Sequence, residues 1–315
     1  MSLPMILDCD PGNDDALGIL VAAGHAVIDL RAVTTGAGHL AGDRTARNAA
    51  ITLHLSGRSD IPVGAGALNP LVRERMIAGA LDMASALDPE RPDLEAQDLD
   101  PRHSAELIAQ TVLSADAATI VTTGPLTNLA MALHRTPEIA ATLERIVMLG
   151  GSWGLGNKTA AAEWNILCDP EAAHVVLGAG VPITMLPIDA LGPVGITPDL
   201  IKRTHAIGGP VGNFATELLQ SLVTTFNPGS VMAPKFMPLN DPVASLVAAQ
   251  PDLAQTQPAH VVVELAGRHT YGRTVVDFAL RGGAAANVDV VTQLDCDRTL
   301  YAFVDALTRL ANSDT

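Results

Sequence analysis

Asp8-Cys9-Asp10-Pro11-Gly12-Asn13-Asp14-Asp15-Ala16 sets four carboxylates close together, directly after the apolar run Met5-Ile6-Leu7. Carboxylates a few ångströms apart repel and raise one another's pKa, so a chain that groups them offers them to a hard metal ion, a shared proton or substrate hydroxyls. Met5 to Asp8 reads as a short buried strand, Pro11-Gly12 as a turn, and Asp14 to Ala23 as a helix with an acidic first turn. The carboxylates thus fall at the carboxyl end of a strand, where open α/β sheets bind their ligands. A plainer reading also covers the stretch: Asp14 and Asp15 cap a helix dipole, and Asp8 and Asp10 are solvated turn residues.

Outward from this unit the same pattern recurs. Val27 to Thr35 reads as a β-branched strand ending in the loop Gly36-Ala37-Gly38-His39, and Asp43 to Leu55 as a helix. Ile61 to Gly64 is a short strand and Ala78 to Leu87 a helix, whereas Asp88 to His103, with Pro89, Pro92 and Pro101, is a loop or lid. Glu106 to Ser114 resumes helix. The strand Ala118 to Thr122 then runs through the turn Thr123-Gly124-Pro125 into a helix over Leu126 to His134. Ile146 to Leu149 is a further strand, followed by a glycine-rich loop, Gly150 to Asn157, and by Ala162-Glu163-Trp164-Asn165. Asn157, Glu163 and Asn165 carry the donors and acceptors a sugar needs, and on composition they equally suit a connector with incidental polar groups. Pro170 to Leu177 is helical and Ile183 to Pro187 a strand leading to Asp189. Leu200 to Phe226 is helical with a break at Gly208-Gly209-Pro210. Leu239-Asn240-Asp241-Pro242 opens a helix over Val243 to Ala249, and Asp241 alone reads as its cap. His260 to Glu264 and Arg273 to Phe278 form a late strand pair, and Thr299 to Leu310 closes the chain as an amphipathic helix. With no repeat or linker, residues 1–315 read as one α/β domain: an open, mostly parallel Rossmann-like sheet flanked by helices, with the active site at the carboxyl ends of the strands.

Composition narrows the function. The chain is 48% hydrophobic but only 3% aromatic and 17% charged, as in an ordered Ala/Val/Leu-rich globular protein. Lys and Arg number 19 against 34 Asp and Glu, a formal charge of −15, which argues against nucleic acid and against an anionic membrane surface as partners. Cys9, Cys168 and Cys296 form no CxxC pair and suit reduced thiols of a cytoplasmic protein, and no secretory signal opens the chain. The uncharged run Ala172 to Ile188 contains Pro182 and Pro187, so it reads as helix, turn and strand rather than as a membrane span.

Taken together, the loops resemble those of the inosine-uridine-preferring nucleoside hydrolase family. The DCDPGNDDA signature is followed in order by TTGPLTN at Thr122 to Asn128, MLGG at Met148 to Gly151, AEWN at Ala162 to Asn165 with DPEAA at Asp169 to Ala173, and NDP at Asn240 to Pro242. The resemblance implies calcium-dependent hydrolysis of the N-glycosidic bond of ribonucleosides, by a homodimer or homotetramer. It implies that Asp10, Asp15, Asp241 and the main-chain carbonyl of Thr123 hold Ca2+, a cation that takes many oxygen ligands. Asp10 matches the general base, and Asp14, Asn157, Glu163 and Asn165 match positions that grip ribose hydroxyls. Asp8 is expected behind them as support. His39, Leu149 and Asn240 fall at substrate-facing positions but depart from the family pattern, which has Asn, Met and His there. Asp82 likewise stands where a loop histidine is usual. Asn240 cannot act as a general acid, so the ribose and metal half is nearly intact while the base half differs. His39 reads either as a titratable replacement for the missing acid or as a hydrogen-bonding stand-in for Asn. Trp153 could stack on a base, Trp164 reads as core, and His269 and Tyr271 receive no role.

Two other readings compete. A haloacid-dehalogenase-like phosphatase also ends a strand in Asp-x-Asp, though Pro11-Gly12 and the acidic charge suit it poorly. A nucleoside- or sugar-binding relative that has lost turnover would explain Asn240 but not the retention of Asp10.

Overall fold

The computed structural model describes residues 2–76, 87, 91, 93–115, 117–226 and 234–313. Its opening strand, β1 (Leu3–Cys9), is buried from Met5 onward, and β2 (Ile28–Thr35) pairs with it in parallel. The two are joined by α1 (Asn13–Gly24), and α2 (Gly42–Leu55) leads to β3 (Val63–Ala65). After α3 (Ser104–Ser114), β4 (Ala118–Thr122) pairs with the other side of β1. Then come α4 (Thr127–Arg135), α5 (Ile139–Thr142), β5 (Leu143–Leu149), α6 (Trp164–Cys168), α7 (Pro170–Leu177) and β6 (Ile183–Leu186). The remainder comprises α8 (Ile188–Leu191), α9 (Pro198–His205), α10 (Gly209–Thr225), α11 (Asn240–Ala249), β7 (Ala254–Val263), β8 (Thr274–Asp277), β9 (Val288–Leu294) and α12 (Cys296–Asn312).

The nine strands form one sheet in the order β3-β2-β1-β4-β5-β6-β9-β7-β8. The first six are parallel, β9 continues them beside β6, and β7 runs antiparallel to both β9 and β8. The order 3-2-1-4-5-6 reverses at β1 and β4, so the crevice above those two strands is the topological switch point of an open α/β sheet.

Burial on both faces explains the apolar strands. Met5 and Leu7 of β1, with Val33, Val121 and Val147, face a core built with Leu17, Ile51, Phe214, Leu246 and Phe303. Ile6, Ala32, Ile120 and Ile146 face the opposite core, with Ile108, Leu129 and Val176. This alternation is the period-two geometry of a strand covered by helices on each side.

Among the described residues the expected elements are present with shifted ends, and three differences have physical reasons. The break at Gly208 is a complete helix change: Gly208 and Gly209 adopt positive φ of 67° and 63°, which glycine alone takes without strain, and α10 starts with Pro210 in its first turn. The late strand pair is part of a larger antiparallel edge. Its strand β7 starts at Ala254, before the expected His260, through an exposed polar stretch that includes Pro258. The strand β9 was not anticipated, although Val288-Asp289-Val290-Val291 alternates as a strand should. Of the expected helix from Ala78 to Leu87, residues 78–86 lie outside the described residues, Asp82 among them, and Leu87 is a buried turn residue. Among the described residues no helix is long and apolar enough to cross a membrane.

Candidate active site

The carboxyl ends of β1 and β4 bring the opening carboxylates under the start of α11. Asp8 pairs in register with Thr34 of β2 on one side and Thr122 of β4 on the other, so it lies at the centre of the sheet. It is 2% exposed and accepts hydrogen bonds at Oδ1 from Thr34 Oγ1 (2.7 Å) and Asn128 Nδ2 (2.9 Å). Burial pushes its carboxyl up to about 7, against the pull of those two donors. Asn128 also donates to the Thr35 carbonyl (3.0 Å) and accepts from the Ala67 amide (2.9 Å), which fastens β1, β2 and the exit of β3 to the start of α4.

Asp10 is enclosed by two glycines. A Cβ at Gly38 would come within 1.9 Å of Asp10 Oδ2, and one at Gly124 within 2.4 Å of Oδ1. Both loops can wrap the carboxylate because their closest residue has no side chain. The amide of His39 donates to Oδ2 at 2.9 Å, and the His39 Nδ1 lies 3.4 Å from the same oxygen. The imidazole stacks on the Trp164 ring with centroids 4.3 Å apart and planes at 25°. Crowding by its neighbours opposes a charge on His39, whose ring is still partly exposed, but the hydrogen bond to Asp10 and the charges of Asp10, Asp14 and Asp15 outweigh it and push the imidazole up to about 9.

Asp15, in the first turn of α1, accepts from the amides of Asp10 and Gly12 (both 3.3 Å) and from Thr123 Oγ1 (2.8 Å). It therefore caps the helix and tethers β4's loop at once, so the plainer capping reading describes one part of its work. Oxygens of Asp14, Asp15 and Asp241 lie within 4.8 Å of one another. Burial, and then the mutual repulsion of the cluster, raises Asp15 and Asp241 well above the carboxylate range, and burial raises Asp14 in spite of His39 nearby. Such a trio needs compensating positive charge to ionise fully, and its all-oxygen donor set suits a hard cation.

The converging trio contains Asp14, which the sequence resemblance sets on ribose, and lacks Asp10, whose Oδ2 is turned to His39. The Thr123 carbonyl accepts from Asn165 Nδ2 at 2.8 Å, and the same nitrogen donates to the Leu149 carbonyl at 3.1 Å, so Asn165 links the ends of β4 and β5 beside the cluster. Glu163 is buried and caps α6, accepting from the amides of Gly151 (2.9 Å), Asn165 (2.9 Å) and Ile166 (3.2 Å). Burial raises its carboxyl against those three donors. Asn157 is exposed, and its Oδ1 accepts from the Trp164 amide at 2.9 Å. Asn240 is half-buried at the start of α11, next to Asp241.

A buried carboxylate cluster at a switch point, ringed by sugar-compatible polar groups, is matched by what this chain is similar to. A model of the family described as inosine-uridine preferring nucleoside hydrolase matches residues 5–300. The chain belongs to that family. The pyrimidine-specific ribonucleoside hydrolases RihA of Shigella flexneri serotype 5b (strain 8401) and of Escherichia coli O157:H7 are each 40% identical to it over 313 residues, covering 98% of this chain and 97% of theirs. Among solved structures, the plant nucleoside hydrolase PpNRh1 superposes with a TM-score of 0.87 at 27% identity. A purine-preferring ribonucleoside hydrolase from Gardnerella vaginalis does so with 0.87 at 26%. Both alignments cover 98% of this chain and 99% of the other.

As a nucleoside hydrolase the chain is an N-glycosyl hydrolase of ribonucleosides, and the phosphatase reading falls away. What the sequence left unread around the nucleoside hydrolase site is its support. Asn128 was visible in TTGPLTN, but its bonds to Asp8 and Thr35 depend on residues 120 and 93 positions away. Trp164 is core, at 5% exposed, and also the surface on which His39 rests.

Proposed function

We propose that this nucleoside hydrolase is calcium-dependent and prefers pyrimidine ribonucleosides. The observation that carries the metal half is the convergence within 4.8 Å of half-buried Asp14 with buried Asp15 and Asp241. Asp15 and Asp241, with Asp10 and the Thr123 carbonyl beside them, would hold the ion. A calcium ion bound there would neutralise the crowded carboxylates and favour deprotonation of water at the site.

The protein's own groups do the rest. Asp10 accepts the proton of the attacking water as its oxygen bonds to the anomeric carbon and the carbon–nitrogen bond breaks, the bond electrons leaving with the base. That displacement passes through an oxocarbenium-like ribosyl cation, which an acidic, preorganised pocket stabilises. Asp14, Glu163, Asn165 and Asn157 orient the ribose hydroxyls, with Leu149 packing beside them. Asn240 can hydrogen-bond a base but cannot protonate it, which suits a leaving group that departs without full protonation. The pyrimidine preference is supported by the RihA relatives, 40% identical and named as pyrimidine-specific, against 26% for the purine-preferring structure.

Reducing-sugar release from uridine, cytidine, inosine and guanosine tests the preference. The expected kcat/KM for the pyrimidine nucleosides exceeds that for the purines by about tenfold or more, and an equal or reversed ratio would refute it. Nucleoside bound without turnover would return the binding-protein reading. A large gain with inosine on Asn240→His would identify Asn240 as the residue that limits departure of purines.

A further inference from the structure

We propose that His39 is a positioning residue for Asp10, held in place by Trp164. The proposal rests on the reading of Asp10 as the base, and it deepens that reading by naming what fixes the carboxylate's direction.

Oδ1 of Asp10 is closed in by Gly124, and a methyl group on that glycine would overlap it. Rotation of the carboxylate is then limited by what holds Oδ2. Two groups of one residue approach that oxygen: the His39 amide at 2.9 Å and the His39 Nδ1 at 3.4 Å. Gly38 brings them there, because any larger residue at position 38 would collide with the carboxylate. A main-chain amide alone sets a distance, whereas a second donor at a different angle sets the plane of the carboxylate.

The imidazole needs its own restraint, because its side chain is 45% exposed. Trp164 supplies it through the stack at 4.3 Å and 25°. The indole is itself packed: Trp164 is 5% exposed, its main-chain amide donates to Asn157 Oδ1, and it starts α6 between Glu163 and Asn165. Its indole N–H has no acceptor among the described residues, so packing, the ring stack and the Lys158 ammonium 4.6 Å from the ring centroid, rather than a hydrogen bond, set its attitude. The chain Trp164–His39–Asp10 thus transmits the rigid geometry of α6 to the base.

Single and double variants of the full-length protein test this. With uridine, His39→Ala should lower kcat roughly 10- to 100-fold, the usual loss for a partner that orients a reacting group, with KM changed less than about threefold. His39→Asn restores one donor without the stack and should recover part of kcat. Trp164→Leu should lower kcat in the same direction, and the double variant should be no worse than His39→Ala, because both changes break one chain. A loss confined to KM, or full additivity, would overturn the proposal.

A readout independent of turnover keeps the two readings apart. In ¹⁵N-histidine spectra, Asp10→Asn and Trp164→Leu should each shift the His39 ring resonances. If the shifts appear while no nucleoside is hydrolysed, the proposed function fails and the positioning contact stands. If wild type hydrolyses uridine while neither change moves the His39 signals, the positioning proposal fails alone. Thermal unfolding of each variant separates either result from loss of the fold.

Discussion

At the residue scale, the carboxylates Asp8, Asp10, Asp14 and Asp15 differ in what surrounds them rather than in their own chemistry. Asp8 is spent on Thr34 and Asn128, Asp10 faces His39 between two glycines, Asp15 is shared between α1's cap and Thr123, and Asp14 joins Asp241. If Asp10 is the base, Asp10→Ala should lower kcat by ~10² to 10⁴-fold, measured as ribose release under saturating uridine. Gly124→Ala should cost about 10²-fold as well, because a displacement near 1 Å at the reacting group has that effect. Circular dichroism of the variant should match wild type. The crowding of these carboxylates was readable because they are neighbours in the chain. Their division of labour was not, since Thr34, Asn128 and Asp241 approach only once β1, β2, β4 and α11 are assembled.

At the element scale, helix starts do much of the positioning. Glu163 begins α6 and Asp169 begins α7, where it accepts from the amides of Ala172 (3.0 Å) and Leu71 (2.8 Å) and from Thr127 Oγ1 (2.7 Å). The DPEAA motif was legible as a helix start from Asp-Pro alone. Its further grip on Leu71 and Thr127 was not, because it joins segments far apart in sequence. The cap of α3 is different: His103 Nδ1 accepts from the Ala105 amide at 3.1 Å, which requires an unprotonated nitrogen. Burial, with Arg135 nearby, holds this imidazole below the ordinary histidine value of 6.5. A depressed folded-state pKa means that the cap's contribution is complete above the unfolded value and is lost as pH falls through the folded one. His103→Ala should therefore lower unfolding free energy by about 1 kcal/mol at pH 8. The difference should shrink as pH falls below 6.5, as read from urea unfolding at each pH.

At the scale of the whole molecule, a parallel sheet delivers its strand ends to one crevice, and the strand order fixes where that crevice lies. The alternating strand and helix signals made this parallel part readable. The antiparallel edge of β9, β7 and β8 was harder, because β7 opens with the exposed polar residues Gln255, Thr256 and Gln257 and contains Pro258. That edge still serves the site: Thr274 of β8 accepts from the Ser152 amide (2.9 Å) and donates to the Ser152 carbonyl (2.6 Å), pinning the glycine-rich loop. The buried carboxylates also make a global prediction. Asp15 and Asp241 have folded-state values raised above 3.8, so their contribution to stability is present below that value and is lost as pH rises through the raised ones. Calcium should offset that loss, so the gap in Tm between calcium-loaded and chelated protein should widen from pH 5 to pH 8. At a hundredfold excess over Kd the ion should add roughly 2.7 kcal/mol. A gap that is flat or narrows with pH would remove the carboxylates from the ion's site. The most direct measurement is the rate of ribose release from uridine by chelator-stripped protein as Ca2+ is returned. Loss of the rate on stripping and its recovery on saturation with calcium is the expected result, and an undiminished rate in excess chelator would contradict it.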